Sequence, residues 1–111
     1  MRTIRSSSDV DRLFKQGRRA SHPLLIVLAG PTPEGRDLGG RVVYVAGKKV
    51  GGAVARNRCK RVLRAARART GSEWPGLDVA LIARHGTASA RPDDLDRAVA
   101  ESLLRAGVTG P

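Results

Sequence analysis

The feature that most constrains this chain is a block of positive charge in its middle. Residues 38–72 contain ten Lys or Arg residues and no Asp or Glu, so they carry nearly all of the net charge of +11. A chain of 111 residues is expected to form one domain, residues 1–111, with a modest core. Charge of one sign concentrated in this way indicates a polyanionic partner, either a nucleic acid or an anionic membrane surface.

The charged block coincides with a predicted amphipathic helix over residues 53–70, which Gly71 ends. Small and aliphatic residues form its apolar stripe: Ala55, Cys59, Val62, Leu63 and Ala66. This stripe can pack on a sheet. Cations occupy the other directions, and like charges one turn apart destabilise a helix that carries no acidic residue. An external polyanion explains such a face better than solvent does, and the small apolar stripe argues against a membrane surface.

The rest of the pattern predicts an α+β protein, a small α/β sandwich with the element order α-β-β(-β)-α-β-α. Strands are expected over residues 24–29, 41–46 and 77–83, a first helix over 8–17 and a last helix over 92–106. Turn-forming residues over 30–40 predict a loop. We expect Ser7 or Ser8 to cap the first helix and Asp9 to interact favourably with its dipole. With only three aromatic residues in the chain, the core is expected to be aliphatic.

Side chains with reactive or metal-binding chemistry are few. Cys59 is the single cysteine, so no internal disulfide or cysteine zinc site can form, and it is expected in the core. His22 and His85 lack partners at metal-ligand spacing and are expected in turns or at the surface. The acidic residues at the start of the last helix are expected to interact with its dipole: Asp93, Asp94 and Asp96. No catalytic constellation or metal site is predicted, and the polar N-terminus favours a cytoplasmic location.

One motif is specific enough to indicate a family. The stretch from Lys48 to Arg64 reads KKVGGAVARNRCKRVLR. It closely resembles the signature of the bacterial ribonuclease P protein subunit, a KK-(V/I)-G-x-A-V-x-R-N-R-x-K-R pattern with a further Arg one turn on. The resemblance extends along the chain to FKQG, which ends at Gly17, and to the strand GLDVALIAR, which ends at Arg84.

This resemblance implies a subunit that assembles with a large catalytic RNA and assists endonucleolytic removal of the 5′ leader from precursor tRNA. In such an enzyme the RNA holds the catalytic Mg²⁺ ions and performs the chemistry, so the protein supplies no catalytic residue. The protein binds the catalytic RNA and the single-stranded leader, and it raises the affinity for metal ions and substrate. The implied partners are these two RNAs, with no membrane and no DNA.

The resemblance assigns site residues by position. The expected RNA-binding residues are Lys48, Lys49, Arg56, Asn57, Arg58, Lys60, Arg61, Arg64 and Arg67. The expected leader-binding cleft consists of Phe14, Lys15, Tyr44, Lys60 and Arg64. Two of these assignments compete with plain packing, since Phe14 could be a core residue of the first helix and Tyr44 could pack on the sheet.

Val10 departs from the family pattern, because many members have a second Phe at this position. Fewer aromatic side chains would then be available to stack on a leader. The competing functions are another small basic RNA-binding or RNA-chaperone protein of ribosomal type, and a DNA-binding module. A DNA-recognition helix would carry Asn, Gln and Ser among its cations, and only Asn57 qualifies.

Overall fold

The structure is a computed structural model in which residues 1–109 are described, and it contains one five-stranded sheet with three helices. The strands are β1 (Arg2–Thr3), β2 (Arg18–His22), β3 (Leu25–Pro31), β4 (Arg41–Val45) and β5 (Leu77–Ala83). The helices are α1 (Ser7–Gln16), α2 (Ala53–Thr70) and α3 (Pro92–Arg105). A 3₁₀ turn over Lys48–Val50 precedes α2.

The strand order in the sheet is β1-β4-β5-β3-β2. β4 and β5 are parallel neighbours joined through α2, and β1 adds a short parallel pairing at the outer side of β4. β3 runs antiparallel to β5, and β2 forms a hairpin with β3 at the opposite edge. The basic helix is therefore the crossover of a β-α-β unit, the connection that parallel strands require.

The two faces of the sheet are covered unequally. α2 and α3 pack together on one face over the larger core, which includes Leu63, Leu81 and Leu103. α1 lies alone on the other face, where Leu13 packs on Leu28 in a much smaller cluster. One face is thus fully covered by two helices, and the other is covered only where α1 crosses it.

The α+β fold predicted from the sequence is confirmed, with α2 and β5 at the expected bounds. The predicted order allowed a third strand between the first two helices, which β2 fills, but it gave no range for this strand and did not include β1. β1 consists of only two residues, and both are exposed. β2 has a polar composition because it is an edge strand whose single buried side chain is Ala20. The expectation of a purely aliphatic core is wrong, because Trp74 is buried and its indole Nε1 donates to the carbonyl of Arg41 at 2.9 Å.

The expected cap of α1 is also wrong by one residue. Ser6 occupies the cap position, and its hydroxyl accepts a hydrogen bond from the amide of Asp9. Asp9 itself is buried at 3% exposure and does more than interact with the helix dipole. Its carboxylate accepts hydrogen bonds from Arg41 Nη2 and Arg36 Nε, both at 3.0 Å.

Arg41 forms the centre of this buried network. Its guanidinium bridges Asp9 of α1 and Asp78 of β5, with Nε 2.8 Å from Asp78 Oδ1. The hydroxyl of Thr32 donates to the same carboxylate oxygen of Asp78. A buried charge is tolerated only when it is paired and hydrogen-bonded, and all three charged groups meet that condition. The network therefore ties α1 to the centre of the sheet.

Replacing Asp9 with Asn should lower the free energy of unfolding by about 3 kcal/mol, because it leaves part of the Arg41 charge uncompensated in the interior. Urea unfolding followed by circular dichroism measures this loss. Arg2→Ala is the matched control, since it removes only an exposed ion pair with Asp37 and should cost less than about 1 kcal/mol. Equal losses in the two variants would show that the buried network contributes no more to stability than an exposed ion pair does.

The same network predicts a pH dependence. Burial disfavours the charged form of Asp9, but hydrogen bonds from Arg41 and Arg36 outweigh it and hold the pKa of this carboxyl below its ordinary value of 3.8. A group with a lowered folded pKa contributes stability above its unfolded pKa and loses it as the pH falls through the folded value. The unfolding free energy of the wild type should thus decline below about pH 4, and less steeply in Asp9→Asn.

Candidate nucleic-acid interface

The basic helix begins abruptly at a glycine pair. Gly51 has a φ of 129°, and a Cβ built there would lie 2.8 Å from the Cβ of Ala55. Glycine is therefore required for the chain to turn from the 3₁₀ segment into α2. As the sequence predicts, the helix directs its apolar stripe at the sheet, where Cys59 and Leu63 are buried.

Most cations of residues 38–72 have no carboxylate partner. Arg41 is buried in the network described above, and Arg69 forms a bidentate pair with Asp96 of α3, with Nη2 2.7 Å from Oδ1. Within the described residues, none of the other eight has a carboxylate oxygen within 4.0 Å. These eight are Lys48, Lys49, Arg56, Arg58, Lys60, Arg61, Arg64 and Arg67, and we call them the basic surface.

The members of the basic surface differ in accessibility. Arg58, Arg61 and Arg64 are exposed, as is Asn57 beside them, whereas Arg67 is half-buried and its Nη1 donates to the carbonyl of Ser72 at 3.5 Å. Charge that is exposed and unpaired is available to an external anion. The basic surface is consequently strongest along the exposed side of α2, and Arg67 lies at its margin.

Tyr44 lies beneath this surface rather than in a separate cleft. The guanidinium carbon of Arg64 sits 5.0 Å from the centroid of the Tyr44 ring, within the range of a cation–π interaction. Tyr44 is half-buried and packs against the larger core on the α2 face. The ring therefore orients Arg64. Tyr44 itself packs on the sheet, which is the alternative to a leader-binding role.

The opposite face of the sheet carries an open apolar strip. Register places Val45 beside Ile82 and Ile82 beside Ile26, so these three side chains form one row across β4, β5 and β3. All three are half-buried, because α1 covers only the adjacent rows. We call this row and the α1 flank beside it the sheet groove.

α1 lies across the strands and forms one wall of the sheet groove. Its first turn sits over β4 and β5 through Asp9, and its end at Gly17 lies over Ala29 of β3. Arg12 and Gln16 line a small cavity with Pro31 and Pro33, on the side away from the open row. Helical geometry then places Val10 and Phe14 on the opposite flank, which faces the sheet groove. Phe14 is 52% exposed, so it is not a core residue.

The side of the sheet groove away from α1, where β4 and β5 end and β3 begins, is cationic. Ile26 and Ala83 line an open cleft of about 540 Å³ together with Lys49, Arg84 and His85. Lys49 also belongs to the basic surface, so the 3₁₀ turn connects the two regions. The expected turn position of His85 is confirmed, and His22 likewise stabilises a turn, where its Nδ1 accepts from the amide of Leu24 at 3.0 Å.

The structure divides the cleft expected from the sequence. Phe14 and Lys15 lie on α1, whereas Tyr44 and Arg64 lie on the other face of the sheet with the rest of α2, including Lys60. The prediction that these five residues share one cleft is therefore wrong. Side chains alternate along β4, so Tyr44 points away from the face that Val43 and Val45 share with α1.

Ile26, Val45 and Ile82 were not among the site residues predicted from the sequence. Alternation along each strand could have grouped them by face, but it could not show which face α1 leaves open.

Asp96 was expected only to interact with the helix dipole, and instead it pairs with Arg69; its pKa is lowered by this hydrogen bond. Asp93 and Asp94 lie in the first turn of α3 as expected. No described helix is long and apolar enough to cross a membrane.

A small α+β protein with an unpaired cationic helix on one face and an open apolar groove on the other belongs to the class of basic RNA-binding proteins. The family model for ribonuclease P matches residues 1–107. The ribonuclease P protein component of Herpetosiphon aurantiacus is 38% identical over 104 residues, covering 93% of this chain and 82% of the relative. That of Beutenbergia cavernae is 39% identical over 106 residues, covering 95% and 87%.

Solved structures agree with this assignment at the level of the fold. The ribonuclease P protein of Staphylococcus aureus superposes with a TM-score of 0.81 at 24% identity, covering 99% of each chain. The protein from Thermotoga maritima gives a TM-score of 0.76 at 23% identity, covering 99% of this chain and all of that one. This chain belongs to the ribonuclease P protein family. It is the RNA-binding protein component of a ribonucleoprotein endoribonuclease that acts in tRNA 5′ processing.

Proposed function

We propose that this subunit binds the catalytic RNA of ribonuclease P through the basic surface and holds the 5′ leader of precursor tRNA in the sheet groove. The observation that carries the proposal is the separation of two chemically different surfaces on one small chain. One offers exposed, unpaired cations, and the other offers a half-buried apolar floor beside an exposed aromatic ring. Folded RNA presents mainly phosphates, whereas a single-stranded leader also presents its base faces.

The basic surface suits a structured RNA. Arginine predominates in it, and a guanidinium can bind a phosphate through two parallel hydrogen bonds. Arg64 is held over Tyr44, so it loses less conformational freedom when it binds. Because like charges on α2 repel one another in the free protein, binding of phosphates also relieves that repulsion.

The sheet groove suits an unpaired strand. An exposed Phe14 can stack on a base, and such stacking contributes about 1–3 kcal/mol per base with little dependence on base identity. The aliphatic floor excludes water from the stacked base, and Lys49 carries charge for the leader phosphates. Lys15, expected from the sequence to join this cleft, lies on the outer face of α1 with Arg12 and Gln16. A groove of this kind would accept the leaders of many different precursor tRNAs.

Catalysis is assigned to the RNA. Mg²⁺ is the metal that the family implies, and it supplies charge stabilisation at the scissile phosphate when bound by that RNA. Within residues 1–109 no cluster of three His, Cys, Asp or Glu side chains could hold a metal ion, so the residues present do not fit a Mg²⁺ site. We propose that the chain contributes by neutralising phosphates where two RNAs meet, which lowers the Mg²⁺ concentration that assembly requires.

Reconstitution tests the whole proposal. Purified protein added to a bacterial ribonuclease P RNA at low Mg²⁺ should restore cleavage of precursor tRNA, measured by release of the 5′ leader. The RNA alone and the RNA with heat-denatured protein are the controls. Absence of stimulation at every salt and Mg²⁺ concentration tested would rule out the proposed role in cleavage.

Salt dependence tests the basic surface. Arg58→Ala and Arg61→Ala should each reduce the slope of log K against log salt for the catalytic RNA by about 0.7–0.9, because each removes about one phosphate contact. Arg69→Ala is the matched control on the same helix, since Arg69 is already paired with Asp96. Filter binding over a salt series measures the slopes. Equal slopes for the wild type and the first two variants would contradict the proposed contacts.

Phe14→Ala tests the sheet groove. It should weaken binding of precursor tRNA by the holoenzyme about 5- to 150-fold, as loss of one base stack predicts, and leave binding of mature tRNA unchanged. Leu104→Ala is the matched control, because Leu104 is 49% exposed, close to the 52% of Phe14, but lies on α3. Equal losses for precursor and mature tRNA would assign Phe14 a structural role instead.

A further inference from the structure

The sheet groove does not end at β3, because the row of its floor continues onto the edge strand. Ser21 of β2 is paired with Ile26, and Arg19 is paired with Leu28. Alternation along β2 places Arg19 and Ser21 on the same face as the groove floor, whereas Arg18 and Ala20 point to the α3 face. The open row therefore runs over four strands, from Val45 to Ser21.

The Arg19 side chain is held at this end of the row. Its Nε lies 3.1 Å from Ser21 Oγ, so the guanidinium folds back along the strand toward the groove. Arg19 is exposed, and among residues 1–109 no carboxylate oxygen lies within 4.0 Å of it. The contact through Nε leaves both terminal nitrogens free, which is the arrangement that binds a phosphate in a bidentate manner.

The other side of β2 is open. β2 is the edge of the sheet, so among residues 1–109 no strand covers its outer side, and α1 ends at Gln16 before β2 begins. The floor between β4 and β2 spans three inter-strand distances, about 14 Å in all, which matches the length of about 15 Å of the ten-residue α1 beside it. A strand lying in the groove would pass Phe14 and then leave the protein across β2.

We propose that Arg19 binds a phosphate of the 5′ leader at the point where the leader leaves the sheet groove across β2. This inference rests on the proposed leader groove and extends it to a cationic contact at β2. Lys49 and Arg84 lie along the side of the floor where β4 and β5 end, and Arg19 lies at its β2 end. The groove would then hold stacked bases in its middle, with cations for phosphates along one side and at the β2 end.

A leader-length series tests the proposal with the holoenzyme. Precursor tRNAs whose leaders are lengthened by one nucleotide at a time are bound by the wild type, Arg19→Ala and Arg18→Ala. With short leaders Arg19→Ala should match the wild type. Once the leader reaches β2, the variant should bind about two- to fivefold more weakly, which is the range for one exposed ionic contact. Its salt slope for long leaders should fall by about 0.7, the value for one single-strand phosphate.

Arg18→Ala is the matched control, because it removes the same charge one residue away on the other face, where Arg18 Nε donates to the carbonyl of Ala106 at 2.9 Å. It should show no dependence on leader length. Arg19→Lys should keep the salt slope but recover only part of the affinity, because lysine lacks the planar fork. Thermal unfolding of each variant confirms folding, since the exposed Arg19 carries no buried contact.

Three outcomes would overturn the proposal and can be told apart. If Phe14→Ala weakens only leader-bearing substrates and Arg19→Ala does not, the groove stands and its extension to β2 is wrong. If neither variant discriminates between precursor and mature tRNA, the groove itself is wrong. A loss in Arg19→Ala that is the same at every leader length would assign Arg19 to the catalytic RNA and would also overturn the proposal.

Discussion

The buried guanidinium of Arg41 is the interaction on which the arrangement of this molecule depends. It joins the carboxylates of Asp9 and Asp78, and it thereby connects α1 to β4 and β5. The apolar contact under α1 is small, with Leu13 as its principal buried side chain. A ten-residue helix is only marginally stable by itself, so its position depends strongly on these paired charges.

The position of α1 in turn determines where the sheet is open. The helix crosses the strands over the rows that contain Ala80 and Asp78, and it leaves the row of Ile82 uncovered. Had α1 packed one row further along, the groove would be filled and Phe14 would be buried. The ion network therefore affects the groove indirectly, because it fixes the position of α1, which forms one wall of the groove. It also removes Arg41 from the cations available to RNA.

The parts of this structure that could be predicted from the sequence are those whose signal is local. The period of α2, the β-branched run of β5 and the proline at the start of α3 each lie within one segment. β2 lacks such a signal, because an edge strand with one buried side chain has the composition of a loop. Arg41 could only be counted as another cation, since its partners lie 32 and 37 residues away in the chain.

The candidate site divides in the same way. Seven of the eight unpaired cations lie in the family signature, and all eight could be named in advance. The pairing of Arg69 with Asp96 could not, because no helical pattern reveals it. The leader cleft could not be assembled from the sequence, because grouping Phe14 with Tyr44 requires knowing which face α1 covers. Arg19 carries a weak local signal, since it alternates with Ala20 and precedes Ser21 on the same face. That signal has meaning only once β2 is known to be a strand.

The composition of the proposed groove limits what it can recognise. Its floor is formed by Ile26, Val45 and Ile82, which have no hydrogen-bonding side-chain atoms, and only Ser21 at its far end adds a hydroxyl. Sequence-specific reading of a single strand requires hydrogen bonds to base edges, whereas stacking accepts every base. Affinity for the leader would thus come from Phe14 and from phosphate contacts with the cations beside the floor and at β2. Leader length and charge, rather than base identity, should then govern how strongly this groove holds its substrate.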